Sequence, residues 1–133
     1  VIYLLDSNHI VAHLNGDPRI GNGIAQARLA GDEFGIATIV LGELYFGAYN
    51  SQRVQYNLGR INNALPDFIV FDFDRDAAEE FGKIRTELRA QGTPIPIPDI
   101  QIAAVARSRG FTLLTSDQHF SHINGLVVED WLI

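Results

Sequence analysis

No cysteine occurs among the 133 residues, so disulfides and thiolate metal sites are excluded. Any chemistry must come from carboxylates, imidazoles and hydroxyls. Positive charge is scarce as well: ten basic residues against sixteen acidic ones leave a formal net charge of −6. That balance argues against a coat protein that holds nucleic acid through a basic surface. It does not exclude a nuclease, because cations bound to a cluster of acids cancel its charge locally. Lys83 is the only lysine, and the other nine bases are arginine, whose planar fork suits phosphate contacts better than a point charge. Long apolar runs are missing: none approaches the roughly 20 residues that span a bilayer. Val1 to Leu5 is cut by Asp6 before it reaches the length of a signal peptide. The chain therefore reads as soluble, with a cytoplasmic setting permitted. Repeats, low-complexity segments and linkers are absent too, and 47% hydrophobic content suits one domain over residues 1–133 with a core of its own.

What is present is an alternation of strands and helices. Val1 to Leu5 is a continuous apolar run of strand length, as expected for a strand buried on both faces. Asp17-Pro18 starts a helix carrying Ile20, Ile24, Ala27 and Leu29 and ending near Gly31. Gly35 to Thr38 reads as a second strand and Val40 to Tyr49 as a largely buried helix. Val54, Leu58, Ile61 and Leu65 follow at helical spacing up to Pro66. Phe68 to Phe71 is a third strand. A helix then starts in the Asp74 and Asp76 region, presents Ala77, Ala78, Phe81, Ile84 and Leu88, and is capped by Gly92. Thr93 to Pro98 alternates proline with other residues and reads as an extended connector. Asp99 opens the next helix, Ile100 to Arg109, and Phe111 to Thr115 and Leu126 to Val128 complete the strands. Such alternation predicts an α/β fold with a mainly parallel sheet of about five strands.

Ligands bind such sheets outside the carboxyl ends of the strands, and three acids fall there. Asp6 follows the first strand, Asp117 lies two residues past the fourth, and Asp99 is in the first turn of a helix. Each alone could be a helix cap. Glu43 differs, being the only charged residue from Phe34 to Gln52, within a helix expected to be buried, where a carboxylate needs a partner. Four like charges at one edge call for cations, because desolvation and repulsion would otherwise neutralise some of them. Other acids have simpler roles. Asp17 is an N-cap, Asp72, Asp74 and Asp76 crowd a helix start, and Glu129 and Asp130 sit near the chain end. His9 with His13 and His119 with His122 have helical spacing but no His-Glu-x-x-His signature. They read as a solvated face and stay unassigned.

Several segments carry a resemblance: Tyr3-Leu4-Leu5-Asp6-Ser7-Asn8, Gly42-Glu43-Leu44-Tyr45-Phe46-Gly47, Pro98-Asp99-Ile100-Gln101-Ile102-Ala103-Ala104 and Leu113-Leu114-Thr115-Ser116-Asp117. Phe120 and the ending from Gly125-Leu126 to Glu129-Asp130-Trp131 add to it. The chain resembles the PIN-domain ribonucleases over nearly its whole length, particularly the VapC-type toxins of toxin–antitoxin pairs. The resemblance implies a PIN-like fold with helices on both faces of the sheet. It also implies that Asp6, Glu43, Asp99 and Asp117 form one catalytic, metal-binding set, with Thr115 as a polar neighbour of the last acid. Many members carry a polar residue where this chain has Pro98, so a supporting hydrogen bond is expected to be missing there.

An all-oxygen donor set selects Mg2+, with Mn2+ as the alternative. Water activated there, rather than the ribose 2′-hydroxyl, is the expected nucleophile, which leaves a 5′-phosphate and a 3′-hydroxyl. Arg85 is the candidate contact to RNA, because its helix leads towards the proline-rich connector. The resemblance further implies a cognate antitoxin covering the site and a homodimer. The helices from Val40 to Leu65, with Tyr45, Phe46 and Tyr49, are the candidate surface for one or the other. Two rivals stand against this reading. A catalytically silent PIN scaffold would bind RNA or a partner without cutting. A receiver-like phospho-acceptor domain resembles an acidic pair after the first strand and a lysine after the last, whereas this chain has Asp6-Ser7 and only Lys83. A dehalogenase-like phosphatase similarly wants an acid at the place of Asn8, and an amide cannot be a general acid.

Overall fold

Apolar runs of three to five residues, separated by amphipathic helices, build a sheet of five strands in the computed structural model, which describes residues 1–133. The strands are β1 (Ile2–Leu5), β2 (Glu33–Ala37), β3 (Ile69–Phe71), β4 (Thr112–Leu114) and β5 (Val127–Glu129). Their order is β3-β2-β1-β4-β5, and every neighbouring pair is parallel. A receiver-type sheet runs 2-1-3-4-5, so the topology removes that rival. Leu4, Leu5, Leu113 and Leu114 are all fully buried although successive residues point to opposite faces. The inner strands are therefore covered on both sides. The edge strands β3 and β5 are largely exposed, as edges next to solvent should be.

Six helices supply that cover: α1 (Ser7–Leu14), α2 (Pro18–Leu29), α3 (Thr38–Tyr49), α4 (Val54–Ala64), α5 (Arg75–Gln91) and α6 (Ile97–Arg109). Asp17 caps α2 by accepting from the Arg19 N–H at 2.9 Å, and Asp74 caps α5 by accepting from the Ala77 N–H at 2.9 Å. Gly92 ends α5 at φ 70°, a left-handed conformation that glycine adopts without penalty. The most buried helix is α6, in which Ile100 and every residue from Ile102 to Ala106 lie in the core. Arg107 fastens it to α5 through Glu80 and Glu87.

Two segments differ from their sequence expectation. The proline-rich connector ends earlier than expected, because α6 begins at Ile97 with Pro98 in its first turn. Proline is tolerated there since the N–H it lacks would have no intrahelical partner. Helix α1 is not among the helices read from the sequence, although Asp6 as a possible cap and the His9 and His13 spacing point to it. It is eight residues long and starts Ser-Asn-His, a composition with little helical propensity, so its Asp6 cap and the packing of Ile10 decide the matter.

Gly35 is the tightest point of the sheet. A β-carbon there would stand 2.8 Å from the Ile69 carbonyl oxygen and overlap the Phe71 ring. Gly35→Ala is therefore expected to destabilise the protein by about 1–3 kcal/mol, read as a lower urea midpoint. Gly42→Ala, on open α3 surface, should not lower it.

Candidate metal centre

All five strands end at the same edge because all are parallel. At that edge β1 and β4 are neighbours, with Leu5 opposite Leu114. Chain order reverses between them, since β2 and β3 extend the sheet on one side of β1 and β4 and β5 on the other. Open α/β sheets bind ligands at such a switch point.

Asp6 is the first residue past β1 and is only 6% exposed. Its backbone N–H donates to the Leu114 carbonyl at 2.9 Å, which extends the β1–β4 ladder by one rung. Its Oδ1 caps α1 by accepting from the Ser7 N–H at 2.8 Å. Its Oδ2 accepts from the buried Thr115 hydroxyl at 2.7 Å. Burial pushes the Asp6 carboxyl pKa up. The Thr115 and Ser7 hydrogen bonds oppose this, the Asp99 and Glu43 charges add to it, and the outcome is a raised value. Thr115 does more than support Asp6, because its oxygen also accepts the Asp117 N–H at 3.1 Å. One hydroxyl thus sets the spacing between two of the acids.

Asp117 caps a short 3-10 turn, Gln118–His122, by accepting the His119 N–H at 2.9 Å. Asp99 is in the first turn of α6. Between their carboxylates lies His119, with Nδ1 3.3 Å from Asp99 Oδ2 and 3.3 Å from Asp117 Oδ1. One donor atom from each of these three residues lies within 4.8 Å of the others. Glu43 approaches from α3 through a close contact between its Oε2 and the Ser7 hydroxyl.

Glu43 is exposed, which corrects the expectation of a buried helix. Only Val40 and Ala48 of α3 are buried, while Phe46 and Tyr49 are 70% and 66% exposed. Apolar residues all round a helix had implied cover, and this chain supplies little of it. Glu43 is joined to the site by Ser7 and by its charge on Asp6, not by desolvation. Arg85 is set apart from the acids: it lines a groove of about 530 Å³ with Leu88, Arg89, Ile95 and Ile97, and none of the four acids shares it. Arg60, which sequence reasoning passed over, lies with Glu43 in a smaller cleft of about 190 Å³ between α1, α3 and α4. Its guanidinium donates to the Leu14 carbonyl at 2.7 Å and to Asn15 Oδ1 at 2.6 Å.

His119 and His122 are exposed, as a solvated face would be, but the His9 and His13 pair is not. His9 is fully buried. The Trp131 N–H donates to its Nε2 at 3.0 Å, so Nδ1 carries the proton and donates to Asn8 Oδ1 at 2.6 Å. Asn8 Oδ1 also accepts the Ser116 N–H at 3.2 Å, which turns the Asn8 NH2 towards Asp6 Oδ2 and Thr115 Oγ at 3.5 and 3.4 Å. Helical spacing carried no trace of these partners, because they come from Trp131 and Ser116, more than 100 residues away in the chain.

The donor set fits a divalent cation. None of the four acids is paired with lysine or arginine; the ion pairs made by Asp99 and Asp117 are with His119. Positive charge is thus missing where repulsion is greatest, and carboxylate oxygens are the ligands that hard divalent ions prefer. Asp99, Asp117 and His119 are grouped closely enough to hold such an ion, with Asp6 and Glu43 the further acids beside them.

A family model described as PIN domain matches residues 3–126. The chain is 34% identical to the tRNA(fMet)-specific endonuclease VapC of Shigella flexneri, over 97% of both chains. It is 30% identical to ribonuclease VapC2 of Rickettsia felis, over 98% of both. Among solved structures, VapBC2 from Rickettsia felis bound to a promoter DNA fragment superposes with a TM-score of 0.91 at 29% identity, covering 98% of this chain and 99% of that one. DNA-bound VapBC from Salmonella typhimurium gives 0.91 at 32% identity over 98% of both.

The buried imidazoles make stability depend on pH. Burial lowers the pKa of His9, partly opposed by Asp130. It lowers that of His13 too, where Arg28 adds to the effect and Asp67 opposes it. The unfolded chain then binds more protons than the folded one once pH falls below about 6.5. Stability is expected to be full above that pH and to decline as pH drops through the lowered values. His9→Gln, which cannot protonate, should give a shallower decline between pH 6.5 and 5 in urea titrations.

Proposed function

The chain belongs to the PIN-domain family, within it to the VapC-type ribonucleases, and from this premise we propose that it is the toxin of a toxin–antitoxin pair, a metal-dependent endoribonuclease acting in the cytoplasm as one PIN domain. The observation that supports the reading is that Asp99 and Glu43 both act by charge on buried Asp6, that Asp99 and Asp117 flank His119, and that no lysine or arginine is paired with any of the four acids. A divalent cation bound there, Mg2+ or Mn2+, supplies the charge that lowers the pKa of water and offsets charge growing on a phosphate. The protein's own residues do the remaining work. Thr115, Ser7 and the start of α1 fix Asp6 in place and oppose the effect of its burial. Asp99 and Asp117, more open to solvent, face the side from which a phosphodiester would enter. Glu43 receives the Ser7 hydroxyl and is placed to orient water and accept its proton.

Partners follow from the same premise. RNA is the substrate, and initiator tRNA is the first to test because the Shigella flexneri relative is specific for it. An antitoxin is the protein partner, as in the VapBC complexes that the fold matches. A homodimer is expected too. Phe46, Tyr49 and Tyr56 are all more than half exposed on α3 and α4, and aromatic residues are enriched at protein interfaces. No helix is long and apolar enough to cross a membrane.

Purified protein with Mg2+ or Mn2+ is expected to cut RNA and leave 5′-phosphate and 3′-hydroxyl ends. Asp6→Asn and Asp99→Asn should each be slower by roughly 100-fold or more. A 2′,3′-cyclic phosphate product would overturn the mechanism, and equal inactivity of wild type and variants would favour a silent scaffold. Replacing Phe46 and Tyr49 together by serine should weaken self-association or antitoxin binding, read by light scattering and co-purification.

A further inference from the structure

Two carboxylate oxygens flank one ring nitrogen of His119 at equal distances of 3.3 Å. A ring nitrogen has a single proton or a single lone pair in the plane of the ring, so it can satisfy only one of the two oxygens directly. Donors spaced at about this distance are what adjacent positions around a six-coordinate divalent ion require. The imidazole is also held in place. The His119 N–H is tied to Asp117 Oδ1, and the next residue, Phe120, is fully buried in the core, so the turn that carries the ring is anchored. His122, on the same turn, is exposed and has no partner among the acids.

We propose that His119 is itself a ligand of the cation, through Nδ1, and that the resulting nitrogen–oxygen centre prefers Mn2+ to Mg2+ more strongly than four carboxylates would. This deepens the nuclease reading and rests on it. Magnesium favours oxygen donors, whereas imidazole favours first-row transition ions. Replacing a carboxylate or water by the His119 nitrogen therefore shifts the ranking of ions rather than simply adding affinity. It also leaves the site with one negative charge fewer than a fifth acid would give, which limits the repulsion felt by Asp6.

The test is Mn2+ binding to the full chain, followed by pulsed EPR for nitrogen coupling and by calorimetry for affinity, with no RNA present. Wild type should show a directly bonded 14N, and His119→Ala should lose it. His119→Ala should lower Mn2+ affinity by about tenfold while changing Mg2+ affinity by no more than about twofold. His119→Asp provides an oxygen in the same place, so it should bind both ions without nitrogen coupling and with a smaller preference for Mn2+. Absence of 14N coupling in wild type, its survival in His119→Ala, or a parallel fall of both affinities would overturn the assignment while leaving the four-acid site standing. Failure of wild type to bind Mn2+, or binding unchanged by Asp99→Asn, would overturn the metal reading and this one together. Circular dichroism of each variant verifies the fold, and His119→Asp keeps the question answerable if His119→Ala does not fold.

Discussion

The 2.7 Å hydrogen bond from the Thr115 hydroxyl to Asp6 Oδ2 joins the two strands between which the chain order reverses, and most of the centre depends on it. Asp6 ends β1 and Thr115 follows β4, so the bond continues the β1–β4 pairing through side chains after the backbone ladder has ended. The same oxygen receives the Asp117 N–H, and Asp117 in turn orders the turn that carries His119. Packing of apolar strands sets where the acids arrive. Thr115 then sets their mutual spacing at a scale that hydrophobic packing does not control. A valine there would keep the burial and lose the hydrogen bonds to Asp6, Asp117 and Asn8, which is why hydroxyl chemistry rather than shape is the requirement at this position.

Holding acids this way opposes stability. Asp6 is buried, and the Asp99 and Glu43 charges act on it in the same direction as burial, so the ion-free fold favours its protonated form more than the unfolded chain does. A cation reverses this balance, because anything that binds the folded state alone stabilises it. The repulsion is thus part of the binding energy. Relieving it with a neutral side chain would favour the ion-free fold and weaken the site, the usual opposition between stability and function. Asp99 and Asp117 are less buried than Asp6 and can exchange water and ligand, so the centre grades from a fixed inner acid to an open outer pair.

Much of this was legible in the sequence. Continuous apolar runs gave the buried strands, Asp17-Pro18 and Asp74 gave helix starts, and the placing of Asp6, Asp99 and Asp117 after strands or at a helix start put them at one edge. Periodicity reports the average environment of a segment, and where tertiary contacts decide, it misled. An α3 sequence apolar on most sides implies a buried Glu43, yet Phe46 and Tyr49 are exposed to water. Proline's missing N–H makes the Pro98 region look like a connector, a loss that the first turn of a helix does not feel. Spacing within one helix cannot register the partners that other elements supply to His9 and His119. Ser7 and Asn8 were invisible for the same reason: their roles exist only once β4 and α3 are in place.

The buried chain from Trp131 through His9 and Asn8 to Asp6 has one further consequence. Neutral His9 accepts from the Trp131 N–H and donates to Asn8, so its tautomer is set by the segment after β5, and the orientation of the Asn8 amide is set by that tautomer. Were the amide reversed, Oδ1 would face Asp6 Oδ2, replacing a weak attraction by repulsion between two acceptors. It would also leave the Ser116 N–H and the His9 N–H without an acceptor, and a buried donor left unpaired costs about 1–3 kcal/mol. The segment that packs Trp131 against Tyr3 and Phe34 is therefore coupled to the face that Asn8 presents to the acids. Aromatic packing at the end of the chain and polar geometry at the metal centre are two ends of one buried network, which is how residues far from the acids bear on the field those acids create.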